Sequence, residues 1–255
     1  MKPLKYWTPE GFEISSYKYS LKERINKTYK TSGSDNTGIC TYTYNELGFR
    51  GDSVSKKGFR VMSIGCSITE GVGLNDNETW PHQFCRLINN GVDFNFGVSG
   101  RSNDFISRCL ISYFDVINPD LVLVMYTYPH RREIYNTFGG IEPFIPGIEW
   151  GFLEEISEGK KIQKSREELQ NDYEDFNNWY RNHLLITNYL ENKKTKFVWN
   201  GVFLNNDYVD DNKFNDNYKN FIDYAVDNEH PGPKHNKVYA YNLYNHIKNN
   251  YNLDI

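Results

Sequence analysis

The sequence predicts an α/β fold, a three-layer α/β/α sandwich around a parallel, flavodoxin-like sheet of about five strands. Three observations carry this expectation. From Gly58 onward, short apolar runs alternate with longer stretches of helical spacing, the pattern of strands joined by crossover helices. The run "LVLVMY" at 121–126 is apolar at every position, as a central parallel strand covered on both faces requires. The 255 residues suffice for one large domain with a full core.

The elements follow in chain order. Residues 1–57 are irregular and rich in Tyr, Lys, Ser and Gly, and they read as an N-terminal extension packing on a single domain that spans 1–255. Within the extension, "CTYTYNELGFRGD" at 40–52 is the one piece that reads as ordered. Strands are predicted at 59–64, 92–96, 121–126 and 196–202. "TWPHQFCRLI" follows the first as a helix and "SNDFISRCLISYFDVI" follows the second. A long helix is predicted from Ser165, where Ser165 and Glu168 have the spacing of a capping box. Along it Leu169, Tyr173, Phe176, Tyr180 and Leu184 recur at helical intervals. A last helix covers "HNKVYAYNLYNHIKNNY", and residues 136–164 form an insertion after the third strand.

Composition narrows the partners. A net charge of −4 argues against nucleic acid, whose phosphates need a basic surface. No apolar run approaches the roughly 18 residues of a membrane span, and "MKPLKYWTPEGFEISS" lacks a signal-peptide core, so the expected location is cytoplasmic. Cys40, Cys66, Cys85 and Cys109 make no CxxC pair and no zinc spacing, and they read as reduced thiols. No P-loop lysine motif and no GxGxxG turn is present, which disfavours a nucleotide-binding flavodoxin-like protein. No cofactor and no metal are expected.

In open α/β sheets ligands bind beyond the carboxyl ends of the strands, and three of the four polar segments that could carry chemistry fall there. "GCSITEGVGL" at 65–74 sets Ser67 in a turn directly past the first strand. Such a turn can expose a hydroxyl and gather backbone N–H groups, although taken alone it reads more simply as a small residue in a bend. "NFGVSGRSND" at 95–104 follows the second strand, and Gly97 and Gly100 permit close backbone approach while Ser102 or Asn103 caps the next helix. "YTYPHRRE" at 126–133 offers Thr127, Arg131 and Arg132 to an oxyanion or an anionic substrate, or else is a solvated charged loop. The fourth segment, "DNEHPGPKH" at 227–235, lies before the last helix and spaces Asp227 and His230 so that the carboxylate can orient the imidazole. A metal held by His230 and His235 is the alternative there, against which the intervening prolines and the lack of a third ligand count.

Taken in order, "GCSIT", "NFGVSG" and "DNEHP" resemble the nucleophile, glycine and Asp-x-x-His segments of the SGNH (GDSL-like) hydrolases. "NELGFRGD" and "ETWPHQF" also resemble family members with an N-terminal extension, so the likeness runs from about Asn45 to the C-terminus outside the insertion. The resemblance implies Ser67 as nucleophile, His230 as general base and Asp227 as its orienting partner. It implies backbone N–H donors of Ser67 and Gly100 in an oxyanion hole. Two departures stand out: Cys66 replaces the family's aspartate, and Pro129 falls where the family usually supplies an oxyanion-hole asparagine. Asn103, Arg131 or Arg132 are the substitutes within reach of that role, and the two arginines are indistinguishable by sequence. The pattern resembles a variant subgroup common in phage-type genomes, which leaves virion association open. The implied activity is hydrolysis of an O-acyl ester, such as an acetyl group on a glycan, through an acyl-enzyme. An O-acyltransferase with the same triad and a degenerate carbohydrate-binding or virion-associated module are the alternatives.

Overall fold

The computed structural model describes residues 21–32, 38–135, 141–144, 164–165, 167–201, 212–214 and 220–251. Four parallel strands form the centre: β4 (Phe59–Gly65), β5 (Gly91–Gly97), β6 (Leu121–Tyr126) and β9 (Lys196–Gly201). The fifth strand, β3 (Arg50–Gly51), joins the β5 edge antiparallel, with Arg50 opposite Asn95 and Gly51 opposite Phe94. The order β3-β5-β4-β6-β9 matches the expected sheet of about five strands, and the N-terminal extension supplies the antiparallel one. The same extension contributes a separate hairpin, β1 (Thr28–Ser32) with β2 (Ile39–Thr43), in which Tyr29 lies opposite Tyr42.

Helices cover both faces. On one side α4 (Asn103–Ile117) and α5 (Asp172–Lys193) bury Phe105, Ile106, Cys109, Trp179, Ile186 and Leu190 against Phe94, Phe96, Val122 and Val124. On the other, α3 (Trp80–Cys85) and α6 (Pro233–Asn250) bury Trp80, Phe84, Tyr239 and Leu243 against Val61, Leu121 and Leu123. At about 1.5–3 kcal/mol for each fully buried large apolar side chain, these two cores hold the sheet between its helices. Because every residue of β6 is buried, its limits fall where the sequence put them. No helix among the described residues is long and apolar enough to cross a membrane.

The long helix departs from expectation at its start and in its buried face. Residues 164–165 and 167–169 are helical, but Gln170 and Asn171 interrupt them. The helix restarts from Asn171, whose side chain accepts from the N–H of Glu174 at 3.1 Å. The Ser165–Glu168 spacing therefore does not open α5. Leu169, Tyr173, Phe176 and Leu184 are exposed, whereas Asn178, Trp179, Asn182, His183, Ile186 and Leu190 face inward. A polar seam explains the rotation: Asn182 donates to Asp104 at 2.8 Å and accepts from Ser107 at 2.6 Å, and His183 Nδ1 meets the Tyr126 hydroxyl at 3.1 Å. Buried polar groups satisfied by each other can replace apolar residues at a helix interface. Of the predicted insertion, Ile141–Phe144 pairs antiparallel with β7 (Arg132–Tyr135) as β8, and residue 164 is helical; the rest of 136–164 lies outside the described residues.

One core residue carries a pH signature. Asp93 on β5 is buried, its Oδ1 has no partner among the described residues, and its Oδ2 lies 3.9 Å from His82 Nδ1. Burial, reinforced by the neighbouring charge of Asp52 and opposed by Arg50, pushes its carboxyl from 3.8 up to about 8. The folded state thus holds a proton that the unfolded chain releases, so stability falls as pH rises from about 4 to about 8. In Asp93→Asn that fall is expected to flatten and Tm at pH 8.5 to rise, as thermal melts across pH 4–9 would record.

Candidate active site

The sheet reverses direction of winding between β4 and β6, and crevices open at the carboxyl ends of strands at such a point. β4 leads through Gly65 and Cys66 into a single helical turn, α2 (Ser67–Glu70), capped at its end by Gly71 in the left-handed region at φ 76°. The turn sits directly on β5: a Cβ on Gly97 would meet the backbone N of Glu70 at 2.1 Å, so only glycine allows this approach. Ser67 is 9% exposed, and its Oγ is 4.0 Å from Cys66 Sγ, while Cys66 itself is 2% exposed. The serine is thus the more accessible of the two. The backbone N–H groups of Ser67 and Gly100 donate to nothing among the described residues.

The last loop closes onto this turn. Val226 N–H donates to Gly73 O at 3.3 Å, and a Cβ on Gly73 would lie 3.2 Å from Asp227 Cγ. Asp227 Oδ1 accepts from the N–H groups of Glu229 and His230, each at 3.1 Å, and Oδ2 lies 2.7 Å from His230 Nδ1. Burial raises the Asp227 carboxyl, but the bonds from His230 and from the two N–H groups outweigh it and hold it below the usual range. That ionised carboxylate fixes the proton on Nδ1 and leaves Nε2 as the acceptor nitrogen. Asn236 anchors the loop: it donates to Pro231 O and Gly232 O at 3.0 Å each and accepts from Trp80 N–H, also at 3.0 Å.

The third wall comes from β6. Asn103, at the start of α4, accepts from Thr127 N–H at 3.0 Å and donates to Thr127 O at 3.2 Å, clamping that peptide. Ser102, not Asn103, caps α4 by accepting from Phe105 N–H at 3.3 Å. The two arginines part company here. Arg131 donates to Thr127 Oγ1 at 3.0 Å and lies over the Tyr128 ring at 4.8 Å, with no carboxylate partner among the described residues. Arg132 turns to α5, where it pairs with Asp175 at 3.1 Å and donates to Glu174 O at 3.1 Å. Arg132 lines a separate cavity of about 310 Å³ with His130, Gln170 and Asp175. Glu133 pairs with buried Arg108 through bonds of 2.9 and 2.7 Å. His235 Nδ1 accepts from Ile222 N–H at 3.3 Å, away from the His230–Asp227 pair. Among the described residues no group of three His, Cys, Asp or Glu side chains is placed to hold a metal ion.

No family model and no curated protein matches the chain. Among solved structures, one from Desulfitobacterium hafniense described as a "putative lipolytic protein of G-D-S-L family" overlaps 74% of this chain and 99% of its own. Its identity to this chain is 16% and the TM-score 0.33. Likeness at that level decides nothing about the chemistry, and the geometry stands alone.

Two residues that sequence inspection passed over complete the site's frame. Glu70 is buried, with Oε1 accepting from Arg24 at 3.0 Å and from the Tyr44 hydroxyl at 3.2 Å, and Oε2 accepting from Ser99 N–H at 2.6 Å. It joins the turn that begins at Ser67, the loop of Ser99 and Gly100, and the N-terminal extension. Arg50 is 2% exposed and donates to Glu70 O, Gly71 O and Leu74 O at 2.8–3.0 Å and to Asp76 at 2.7 and 2.9 Å. The available signal was an arginine within "NELGFRGD", part of the one piece of the extension that reads as ordered.

Proposed function

We propose that the chain is a serine esterase of the SGNH (GDSL-like) type that cleaves an O-acyl ester through an acyl-enzyme. The observation that carries the reading is the 2.7 Å His230–Asp227 pair on a loop closed against Gly73, within the segment that begins at Ser67. Ser67 Oγ attacks the ester carbonyl while His230 Nε2 takes its proton, and Asp227 steadies the resulting imidazolium. The carbonyl oxygen, now an anion, accepts from the N–H groups of Ser67 and Gly100. Arg131, unpaired by any described carboxylate and held by Thr127, is the third donor in this reading, in the role that an asparagine fills in the family. Asn103 acts through Thr127, whose peptide it grips. Collapse of the intermediate breaks the ester bond and the alcohol leaves with the proton from His230. Water, deprotonated by the same nitrogen, then releases the acid and restores Ser67. An alcohol in place of water would make the same centre an acyltransferase.

A fluorophosphonate probe tests the reading, because it captures a serine activated by a base. Labelling is expected in the wild type and in Cys66→Ala and is expected to vanish in Ser67→Ala. Turnover of 4-nitrophenyl acetate lost in Cys66→Ala but kept in Ser67→Ala would transfer the role to the thiol. A folded wild type that neither labels nor turns over 4-nitrophenyl acetate would leave a binding module.

A further inference from the structure

The turn that holds Asp227 against His230 is closed by its own bonds, including one from Ala225 N–H to His230 O at 2.8 Å. Those bonds fix the pair internally but not its position relative to Ser67, which depends on contacts outside the turn. Strand β2 supplies such contacts. β1 occupies one edge of β2, and the N–H groups of Thr41 and Thr43, which point the same way on a strand, leave the other edge. Thr41 N–H donates to Asn75 Oδ1 at 3.0 Å, and Thr43 N–H donates to Asp76 Oδ2 at 3.0 Å. Between these two anchors the Tyr42 hydroxyl accepts from Gly73 N–H at 2.7 Å, and the Arg50 guanidinium lies over the Tyr42 ring at 4.2 Å. Gly73 O in turn accepts from the N–H of Val226, the neighbour of Asp227, at 3.3 Å. The hairpin also meets the turn directly, since a Cβ on Gly38 would lie 2.8 Å from Val226 Cγ1.

We infer that β2 is a brace that sets where the Asp227–His230 turn stands relative to Ser67, with Tyr42 and Gly38 as its positioning residues; the inference rests on the esterase reading above. The segment that β2 grips is continuous with the Ser67 turn, because Val72 N–H donates to Ser67 O at 3.1 Å. One strand is therefore bonded to the run that carries the hydroxyl and packed on the residue before the carboxylate that orients its base. Proton transfer needs hydrogen-bond reach, and a displacement of about 1 Å can cost about 100-fold in rate. Tyr42 acts through Gly73 and Val226, and Gly38 acts through the space it leaves for the Val226 side chain.

Tyr42→Phe keeps the ring and removes the acceptor of Gly73 N–H. Its kcat for 4-nitrophenyl acetate is expected to fall about tenfold with KM within about twofold, because His230 serves acylation and deacylation and both slow together. In the same variant amide hydrogen exchange is expected to speed about tenfold at Val226, bonded across to Gly73, and to stay unchanged at Ala225, bonded within the turn. Gly38→Ala should lower kcat similarly by driving a methyl group onto Val226 Cγ1. Adding Val226→Ala, which removes the atom struck, should bring kcat back to within about threefold of wild type. Val226→Ala also removes packing, so a kcat that recovers while Tm does not reports placement rather than stability. Wild-type kcat in a folded Tyr42→Phe or Gly38→Ala, unchanged exchange at Val226, or a Gly38→Ala loss that Val226→Ala leaves in place overturns the brace. If the wild type shows no serine-dependent turnover, the esterase reading falls, and exchange at Val226 and Ala225 decides the brace by itself.

Discussion

Replacing His230 with alanine is expected to lower kcat/KM for 4-nitrophenyl acetate by about 10³- to 10⁴-fold, near the upper end of what a general base contributes. Among the described residues Ser67 Oγ has the Cys66 sulfur at 4.0 Å as its hydrogen-bond neighbour and no bond to His230, so in the proposed mechanism the imidazole must close on the hydroxyl when substrate binds. The loss should come mainly in kcat, because the imidazole acts on the transition state rather than on ground-state binding. Combining His230→Ala with Ser67→Ala should cost little beyond either alone, since the two act as one unit. Asp227→Asn should impair the rate as well, because an amide can donate to Nδ1 and so favours the wrong tautomer. Stopped assays with purified variants, checked for folding by circular dichroism, would measure all three. A His230→Ala enzyme within tenfold of wild type would remove the imidazole from the mechanism.

Arg50→Ala is expected to destabilise the fold by about 3–5 kcal/mol, the usual cost of removing one partner from a buried charged network. The guanidinium satisfies three carbonyls of the segment that follows Ser67, and its loss strands Glu70 O, Gly71 O and Leu74 O together. Lysine should not rescue it, because a single ammonium cannot reproduce the planar fork that reaches four acceptor groups. Asp76→Asn should cost much less, since the Asp76 side chain is 35% exposed and water can replace part of the pair. Urea unfolding monitored by tryptophan emission would give both values. Activity should fall with stability in Arg50→Ala, because the same segment carries Gly73 and, through it, the position of Asp227.

The central strand 121–126 was legible because burial on both faces leaves an unbroken apolar run, bounded by turn residues and of strand length. The limits of 121–126 needed no adjustment. The Asp227–His230 pair was legible for a local reason, since three residues in a tight turn bring the two side chains together without help from the rest of the chain. The face of α5 was not legible, because its interior is made partly of Asn178, Asn182 and His183, which satisfy one another's neighbours instead of repelling water. Pattern reading assigns such residues to solvent. Arg131 and Arg132 are chemically identical neighbours, and only the partners that tertiary structure supplies, Thr127 for one and Asp175 for the other, tell them apart. β3 escaped notice because two residues carry no period, and the hairpin because its strands, "TYKTS" and "ICTYT", are largely polar.

Glu70 gives the first part of the chain a meaning that the word extension hides. Arg24 and Tyr44 are the groups that compensate this carboxylate from outside the sheet, while its other oxygen holds the peptide just before Gly100. Trimming the chain back to Asn45 would therefore strip Glu70 of both its counter-ion Arg24 and the tyrosine that covers it, and open the carboxylate beside Ser99 to water. Residues ahead of the first parallel strand are in this sense a charge insert beneath the Ser67 turn, and a minimal domain cut without them would be a different electrostatic object.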